Sequence, residues 1–212
     1  DSMTPELTVD AKDPARTTIA EIAGAIGRGQ VVVCPTETLY ALVADAANPS
    51  AVERVYAIKN RGSDQPLPLM AADVAQVEVA VGPMGGVGVS LAAEFWPGPL
   101  TLVVQARGSI DSRCLAADGS VAVRVPGHVV ARAIARAVGG PVTSTSANRS
   151  GVDGVARVSD LDVEIRGMVG LIVNAGTLTG GAPSTIVDVR GRVPKLVRDG
   201  AVAWSRVLRS LA

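Results

Sequence analysis

Gln30-Val31-Val32-Val33-Cys34 is a short apolar run, and Pro35-Thr36-Glu37-Thr38-Leu39-Tyr40 follows it as a polar segment. A run of β-branched residues predicts a strand, and Pro35 ends that strand because proline cannot donate a hydrogen bond to a sheet. Ligand sites in open α/β sheets gather at strand ends. The polar segment is therefore a candidate binding loop, although a plain turn explains the same residues.

Helical patterns alternate with further strand patterns along the chain. Asp13-Pro14 predicts the start of a helix, and Gly27 stops the apolar residues that follow at helical spacing. The other predicted helices begin at Asn48-Pro49, cover Asp73–Val81, run through Leu91 and Phe95 after a Gly82–Gly86 loop, cover His128–Val138, and begin at a Ser159 cap. The other predicted strands are Leu100–Gln105, Val121–Val125, Val142–Ser146, Gly170–Asn174, Thr185–Val189 and Lys195–Arg198. This order predicts an α/β (α+β) fold in a single domain over residues 13–208, after an N-terminal tail over residues 1–12.

Composition and charge argue against several classes of function. The 212 residues carry 20 basic and 20 acidic side chains, and the sequence pI is about 6.8. That balance argues against a dedicated nucleic-acid or membrane-surface binder, since both depend on net positive charge. Cys34, Cys114 and His128 show no metal-site or disulfide spacing, and no apolar run reaches transmembrane length. We expect a cytoplasmic protein that does not contact a membrane.

Two cations end the second predicted helix. Val52, Val55 and Tyr56 define its inward stripe, and Lys59 occupies the next position on that stripe. Arg61 follows at the end of the helix. Inward cations need buried carboxylates or an anionic ligand, because an unpaired buried charge is costly. Alternatively, both side chains extend to the surface at a helix C-terminus, where cations are favoured. Periodicity alone leaves these alternatives even.

Other polar groups lie at predicted strand ends. Arg124 alternates with three valines and lies on the opposite face of its strand. The hydroxyl- and amide-rich run 143–151 can present short donors to phosphate or ribose, and a capped turn is its simpler explanation. Ser184 and Arg198 lie near later strands. The sequence has no P-loop, dinucleotide-binding or nucleophile-elbow spacing, so any phosphate chemistry must rely on Lys/Arg clamps and Mg²⁺.

Taken together and in order, the motifs resemble the threonylcarbamoyl-AMP synthases, the YrdC-type domain family that begins the t⁶A modification of tRNA. The motifs are Pro35-Thr36-Glu37-Thr38-Leu39-Tyr40, Lys59-Asn60-Arg61, residues 95–102, Val123-Arg124-Val125-Pro126, Ser146-Ala147-Asn148, residues 184–188 and Val197-Arg198-Asp199-Gly200. The resemblance covers about residues 13–206. It implies a twisted mixed sheet with flanking helices around a large concave cleft.

The resemblance also implies a reaction and a set of site residues. L-threonine, bicarbonate or CO₂, and ATP would give threonylcarbamoyl-AMP and pyrophosphate, with Mg²⁺ on the triphosphate. Lys59 and Arg61 would be catalytic and would face the phosphates. The nucleotide-binding set would further include Ser144, Ser146, Asn148 and Arg198. The threonine-binding set would be Thr36, Tyr40, Arg124 and Ser184, with Arg124 paired to the carboxylate. The product would pass to a tRNA threonylcarbamoyl-transferase complex, with weak or no direct tRNA binding. The metal ligands stay unknown.

Three positions depart from the family pattern. Gln65 stands where the family usually has a second lysine, so Lys59 and Arg61 would neutralise more of the phosphate charge. Ala41 replaces a glycine, and Glu37 replaces an aspartate. The alternatives are an RNA-binding member of the same fold and a transferase that takes a carbamoyl phosphate-derived donor. Few aromatic residues and a balanced charge argue against RNA recognition by stacking.

Overall fold

A computed structural model describes residues 3–62 and 64–212 of the chain. The strands in this part are β1 (Glu6–Thr8), β2 (Val32–Cys34), β3 (Ala41–Val43), β4 (Leu69–Met70), β5 (Leu100–Gln105), β6 (Ser120–Arg124), β7 (Val142–Thr143), β8 (Thr145–Ser146), β9 (Leu171–Asn174), β10 (Thr185–Asp188) and β11 (Lys195–Arg198). The helices are α1 (Arg16–Gly27), α2 (Pro49–Lys59), α3 (Val74–Val81), α4 (Gly85–Phe95), α5 (Val129–Val138), α6 (Val163–Met168) and α7 (Trp204–Ser210). The predicted mixed α/β class in one domain with flanking helices is confirmed.

The strands form two mixed sheets. The five-stranded sheet has the order β1-β9-β2-β3-β8, and the six-stranded sheet has the order β11-β10-β5-β6-β4-β7. In the first sheet β9 is parallel to β1 and β2, whereas β3 is antiparallel to both of its neighbours. In the second sheet β10 is parallel to β5 and β4 is parallel to β6, while the other pairs are antiparallel.

The six-stranded sheet has one apolar face and one face that stays open to a cleft. Leu100, Leu102 and Val104 of β5 are buried in the larger apolar cluster, whereas Thr101 and Val103 line the cleft. The adjacent strand β6 alternates in the same way, with its valines in the core and its alanine and arginine on the cleft side. Because strand side chains alternate between faces, this pattern in the sequence fixes which residues a ligand can meet.

The five-stranded sheet is covered by helices. Alternate residues of β2 contribute to two different apolar clusters, so this strand is buried on both faces. One of the clusters contains Ile22 and Ile26 of α1 together with Val130 and Ile134 of α5. No helix in residues 3–62 and 64–212 is both long and apolar enough to cross a membrane.

One predicted strand, Val142–Ser146, is divided between the two sheets. Its first half, β7, pairs with β4 in the six-stranded sheet, and its second half, β8, pairs with β3 in the other sheet. Ser144 lies at the crossing, where its N–H donates to Pro68 O at 2.8 Å. Thr143 stabilises this crossing between the sheets, since its hydroxyl donates to Leu42 O at 3.0 Å and accepts from Ala44 N–H at 2.9 Å.

Three local predictions differ from the structure. The Ser159 cap was wrong: α6 begins later, after Asp162, whose side chain accepts from Glu164 N–H. Gly85 and Gly86, predicted as loop, form the first turn of α4. The stretch predicted as a tail contains β1, which pairs with β9, and residues 1 and 2 of that tail lie outside the described residues.

Candidate functional site

A cavity of about 650 Å³ opens on the polar face of the six-stranded sheet. We call its two sides the sheet wall and the loop wall. The sheet wall consists of Thr101, Ala122, Arg124, Ser184 and Arg198. The loop wall consists of Arg61, residues 64–69 and residues 144–146. The predicted concave cleft is therefore present, and its walls come from segments that are far apart in the chain.

Lys59 lies behind the loop wall and not in the cavity. Asn48 caps the start of α2 by accepting from Ser50 and Ala51 N–H, and the inward stripe of the helix ends at Lys59, which is 2% exposed. The side chain thus points inward, and the alternative of extension into solvent is wrong. Its Nζ donates to Ser146 O at 2.7 Å and to Asn148 O at 2.9 Å.

The environment of Lys59 is polar but carries no negative charge. Its Nζ donates to neutral carbonyl groups, and no carboxylate in the described residues forms an ion pair with it. Burial, and secondarily the charge of Arg61, lower the pKa of Lys59 to about 8. A positive potential behind the loop wall favours an anion inside the cavity.

Arg61 lines the cavity directly. Asn60 closes α2 in the left-handed conformation at φ 50°, and this turn places Arg61 beyond the helix. Its Nε donates to Gln65 O at 3.0 Å and its Nη2 to Pro66 O at 2.9 Å. The main chain of residues 65–66 therefore holds the guanidinium at the cavity wall, and the Gln65 side chain brings no second positive charge there.

The loop wall also carries a buried polar atom without a partner. Among the described residues, no group hydrogen-bonds to Ser144 Oγ, although Ser144 lines the cavity. Such an atom costs about 1–3 kcal/mol unless a ligand or water satisfies it. Asn148 lies outside the cavity, and its Nδ2 donates to Arg149 O at 2.9 Å and to Val152 O. Ser144 is thus better placed than Asn148 to meet a ligand.

The sheet wall holds two guanidinium groups. Arg124 is 8% exposed, and its Nη1 donates to Glu37 Oε1. Arg198 donates through Nη2 to Ser184 O at 2.7 Å, and the Ser184 hydroxyl lies 2.7 Å from Thr101 Oγ1. Partial burial, and then the charge of Arg124, lower the pKa of Arg198. The two arginines therefore repel each other across a site that suits anions.

Thr36 and Tyr40 also line the cavity, but their hydroxyls are engaged within the protein. The Thr36 hydroxyl donates to Leu39 O at 2.7 Å and accepts from the N–H groups of residues 38 and 39. The Tyr40 hydroxyl donates to Gly176 O at 2.7 Å and accepts from Ala175 N–H at 3.0 Å. These two side chains shape the loop at the cavity, and the predicted direct contacts to threonine stay predictions.

Sequence reasoning missed Thr101 and the pairing of Glu37 with Arg124. The signal for Thr101 was present, because it alternates with Leu100 and Leu102 and so faces away from the core. The ion pair joins residues that are far apart in sequence, and no local pattern could reveal it. No group of three or more potential metal-ligating side chains occurs in the described part of the chain.

Comparisons with known proteins identify the family. The family model for Sua5, YciO and YrdC, described as telomere recombination, matches residues 24–200. Threonylcarbamoyl-AMP synthase of Bacillus subtilis is 34% identical over 203 residues, which cover 94% of this chain and 59% of that protein. A putative threonylcarbamoyl-AMP synthase of Mycobacterium tuberculosis is 35% identical over 206 residues, which cover 96% of this chain and 94% of that protein.

Solved structures give the same result. Sua5 of Pyrococcus abyssi complexed with L-threonine superposes with a TM-score of 0.90 at 30% identity, over 98% of this chain and 61% of that protein. YciO of E. coli superposes with a TM-score of 0.85 at 25% identity, over 94% of this chain and 97% of that protein. The chain thus spans only 59% and 61% of the length of the B. subtilis and P. abyssi proteins. It belongs to the Sua5/YciO/YrdC family.

Proposed function

We propose that this chain is a nucleotidyltransferase that forms threonylcarbamoyl-AMP and pyrophosphate from L-threonine, bicarbonate or CO₂, and ATP. The observation that carries the proposal is the convergence of Arg61, Arg124 and Arg198 on one cavity of about 650 Å³. A cavity of this size can hold a nucleotide together with a small amino acid. Two relatives are named threonylcarbamoyl-AMP synthase, one of them as putative, and these names agree with the proposed product.

The reaction needs charge and position more than a protein nucleophile. The neutral amine of threonine adds to CO₂ and releases one proton, which gives a carbamate anion. A carbamate oxygen attacks the α-phosphorus of ATP, the bond from that phosphorus to the bridging oxygen breaks, and pyrophosphate leaves. Two anions must be brought together while water is kept from the labile carbamate. Guanidinium groups suit this task because they bind carboxylate and phosphate with two parallel hydrogen bonds.

The two walls divide the substrates between them. On the sheet wall, Arg124 binds the carboxylate of threonine, and Ser184 contributes a hydroxyl beside it. On the loop wall, Arg61 and Ser144 bind the phosphates of ATP. Arg198, which comes from the edge strand β11, lies along the nucleotide. Lys59 supports this arrangement from behind, because it holds the carbonyls of Ser146 and Asn148 and so fixes the loop that faces the phosphates.

Mg²⁺ would be held by the phosphates of ATP, with Asp64 as a protein carboxylate at hand. Asp64 is the one carboxylate residue among the described side chains that line the cavity. One carboxylate suits Mg²⁺, which usually keeps several waters and binds through phosphates and one or two carboxylates. The ion would neutralise the leaving pyrophosphate.

The experiment that tests the proposal is pyrophosphate release from mixtures that each lack one substrate. Release should require threonine, bicarbonate, ATP and Mg²⁺ together, and Arg61→Ala should reduce it at least about tenfold. Arg136→Ala is the matched control, because Arg136 is exposed on α5 and does not line the cavity. Release without threonine would show that the proposal is wrong. Replacement of bicarbonate by carbamoyl phosphate would instead favour the related carbamoyl-transfer reaction.

The product is expected to pass to a tRNA threonylcarbamoyl-transferase complex in the cytoplasm, with weak or no direct binding of tRNA by this chain. The balance of 20 basic and 20 acidic residues supports this expectation. A titration of tRNA at low and at physiological salt tests it, because binding through phosphates would weaken steeply as salt rises.

A further inference from the structure

Glu37 lies outside the cavity and yet holds a residue that lines it. Arg124, at the end of β6, faces the cavity, and its Nη1 donates to Glu37 Oε1. The Glu37 side chain is not among the residues that line the cavity, so its carboxylate contacts the guanidinium from outside the cavity. The side chains of Arg124 and Glu37 are 10% and 20% exposed, and partial burial strengthens such a pair relative to one at the surface.

Local structure fixes the position of Glu37 independently of Arg124. The Thr36 hydroxyl accepts the N–H groups of Thr38 and Leu39 at 3.2 Å each, which closes a tight turn around Glu37. On the other side, a Cβ placed on Gly127 would lie 3.7 Å from Glu37 Cβ and Cγ, so the aliphatic part of Glu37 lies against this glycine. The carboxylate is thus presented to Arg124 by the fold.

The pair leaves hydrogen-bonding capacity unused on both sides. Glu37 Oε2 is buried and has no hydrogen-bond partner among the described residues. A guanidinium has five N–H donors, and Arg124 uses one of them toward Glu37 within the described residues. The nearby charge of Arg198, whose pKa is lowered by burial and then by the charge of Arg124, adds repulsion that a second anion would relieve. Arg124 is therefore paired with a carboxylate but open to a competing one.

We propose that Glu37 is an internal counter-ion of the amino-acid site: its carboxylate competes with the carboxylate of the substrate for Arg124 and thereby sets the affinity for the amino acid. The inference rests on the proposed function, which assigns Arg124 to that carboxylate. Without substrate, Glu37 avoids the cost of an unpaired guanidinium in a mostly buried position. With substrate, Arg124 exchanges the Glu37 carboxylate for that of the amino acid.

The competition determines whether a substitution at Glu37 raises or lowers the affinity for the substrate. The apparent affinity for the substrate is proportional to the fraction of Arg124 that Glu37 does not engage. Glu37→Gln keeps the size and one acceptor oxygen but removes the charge, so the charge-assisted hydrogen bond is weakened. We expect L-threonine to bind roughly three- to tenfold more tightly to this variant, with kcat within about twofold of the unchanged chain. Glu37→Asp keeps the charge on a shorter side chain and should lie between the two.

The test follows Arg124 itself with two carboxylate probes. The Nε–H resonance of Arg124, assigned by its loss in Arg124→Lys, is titrated with sodium acetate and with L-threonine in the unchanged chain and in Glu37→Gln. Both probes should move the resonance, and the half-saturating concentration of each should fall in the variant. Steady-state kinetics should show the same fall in KM for threonine without a comparable change in kcat.

The outcomes separate this inference from the proposed function. If acetate and threonine bind with equal half-saturating concentrations and no pyrophosphate is released, the proposed function fails, while tighter binding of both probes to Glu37→Gln still supports the counter-ion. Equal or weaker binding to Glu37→Gln, or no shift in either protein, overturns the counter-ion. A fall in kcat with KM unchanged also overturns it, because Glu37 would then act on a proton of the reacting amine.

Discussion

The two walls of the cleft hold their most buried cations in different ways. Lys59, behind the loop wall, is 2% exposed and donates only to neutral carbonyl groups. Arg124, on the sheet wall, is 8% exposed and donates to a carboxylate. The most buried cation of the loop wall is therefore uncompensated within the described residues, whereas that of the sheet wall is paired with Glu37.

This difference fits the substrates that the two walls are proposed to bind. A triphosphate carries several negative charges, and a fixed positive potential behind the loop wall favours it before any contact forms. An amino acid carries one carboxylate and one ammonium group, so Arg124, which is already paired with Glu37, can exchange one carboxylate for another without a large change in charge. Lys59 cannot make such an exchange, because its acceptors are parts of the main chain that shape the wall.

The largest expected effect comes from removing the cation of the sheet wall. Arg124→Ala takes away the group that binds the substrate carboxylate and leaves Glu37 without its partner. We expect KM for threonine to rise about 100-fold, while KM for ATP changes less than about threefold. Steady-state pyrophosphate release at varied threonine and at varied ATP measures the two constants separately.

Arg124→Lys is the matched variant for this prediction. It keeps a charge but loses the two parallel hydrogen bonds of a guanidinium, so its effect on KM for threonine should be intermediate. If Arg124→Ala raised KM for ATP as much as KM for threonine, the division of substrates between the walls would be wrong.

The next effect comes from the loop wall and should register first as stability. Lys59→Met keeps most of the length of the side chain and leaves the carbonyls of Ser146 and Asn148 without their donor. We expect the free energy of unfolding to fall by about 2 kcal/mol, with a loss of activity that threonine cannot restore. Urea unfolding and pyrophosphate release measure the two effects.

Lys12→Met is the control for Lys59→Met, since Lys12 is exposed near the N-terminus and far from the cavity lining in sequence. A variant Lys59→Met with unchanged stability and a raised KM for ATP alone would show that Lys59 binds phosphate directly and does not support the wall.

The sequence predicted much of the fold because the relevant signals were local. The start of α2 follows from its Asn48 cap, and the alternation in β6 correctly placed Arg124 on the face opposite the core valines. The division of Val142–Ser146 between two sheets was not predictable, because it depends on partners at β3 and β4 that lie far away in sequence. The strand β1 was missed for the same reason, since β9 is its partner.

The candidate site was predicted in part for similar reasons. Helical spacing placed Lys59 on the inward stripe but left open whether its side chain extends to solvent. Its carbonyl acceptors come from the crossing between the sheets and have no counterpart in the local sequence. Ser144 was singled out near a strand end and Arg61 at a helix end, and both residues line the cavity. The hydroxyls of Thr36 and Tyr40 could be assigned to internal hydrogen bonds only once the loop geometry was known.

A smaller effect should come from the unpartnered hydroxyl on the loop wall. Ser144→Ala removes a buried oxygen that forms no hydrogen bond with the described residues, so the free energy of unfolding should stay unchanged or rise by up to about 1 kcal/mol. In contrast, affinity for ATP should fall roughly three- to tenfold if the hydroxyl donates to phosphate. Urea unfolding measures the change in stability, and calorimetric titration with a non-hydrolysable ATP analogue measures the change in affinity. A stability loss with unchanged affinity would assign the hydroxyl to the fold.

A further effect is a pH dependence that arises from the uncompensated charge of Lys59. Its pKa is lowered from 10.5 to about 8 in the folded protein, so between these values the unfolded chain binds more protons than the folded one. The free energy of unfolding should therefore rise with pH through this window, by at most about 1.4 kcal/mol per pH unit, and below the window Lys59 should contribute no pH dependence. The neutral amine still has two N–H groups, enough for both carbonyls, so the hydrogen bonds survive deprotonation.

Urea unfolding of the unchanged chain and of Lys59→Met at about pH 7 and about pH 9.5 isolates the contribution of this residue. The stability difference between the two proteins should be larger at the higher pH. A difference that shrinks with pH would mean that a negative charge compensates Lys59 in the folded protein, and the contrast between the two walls would then be lost.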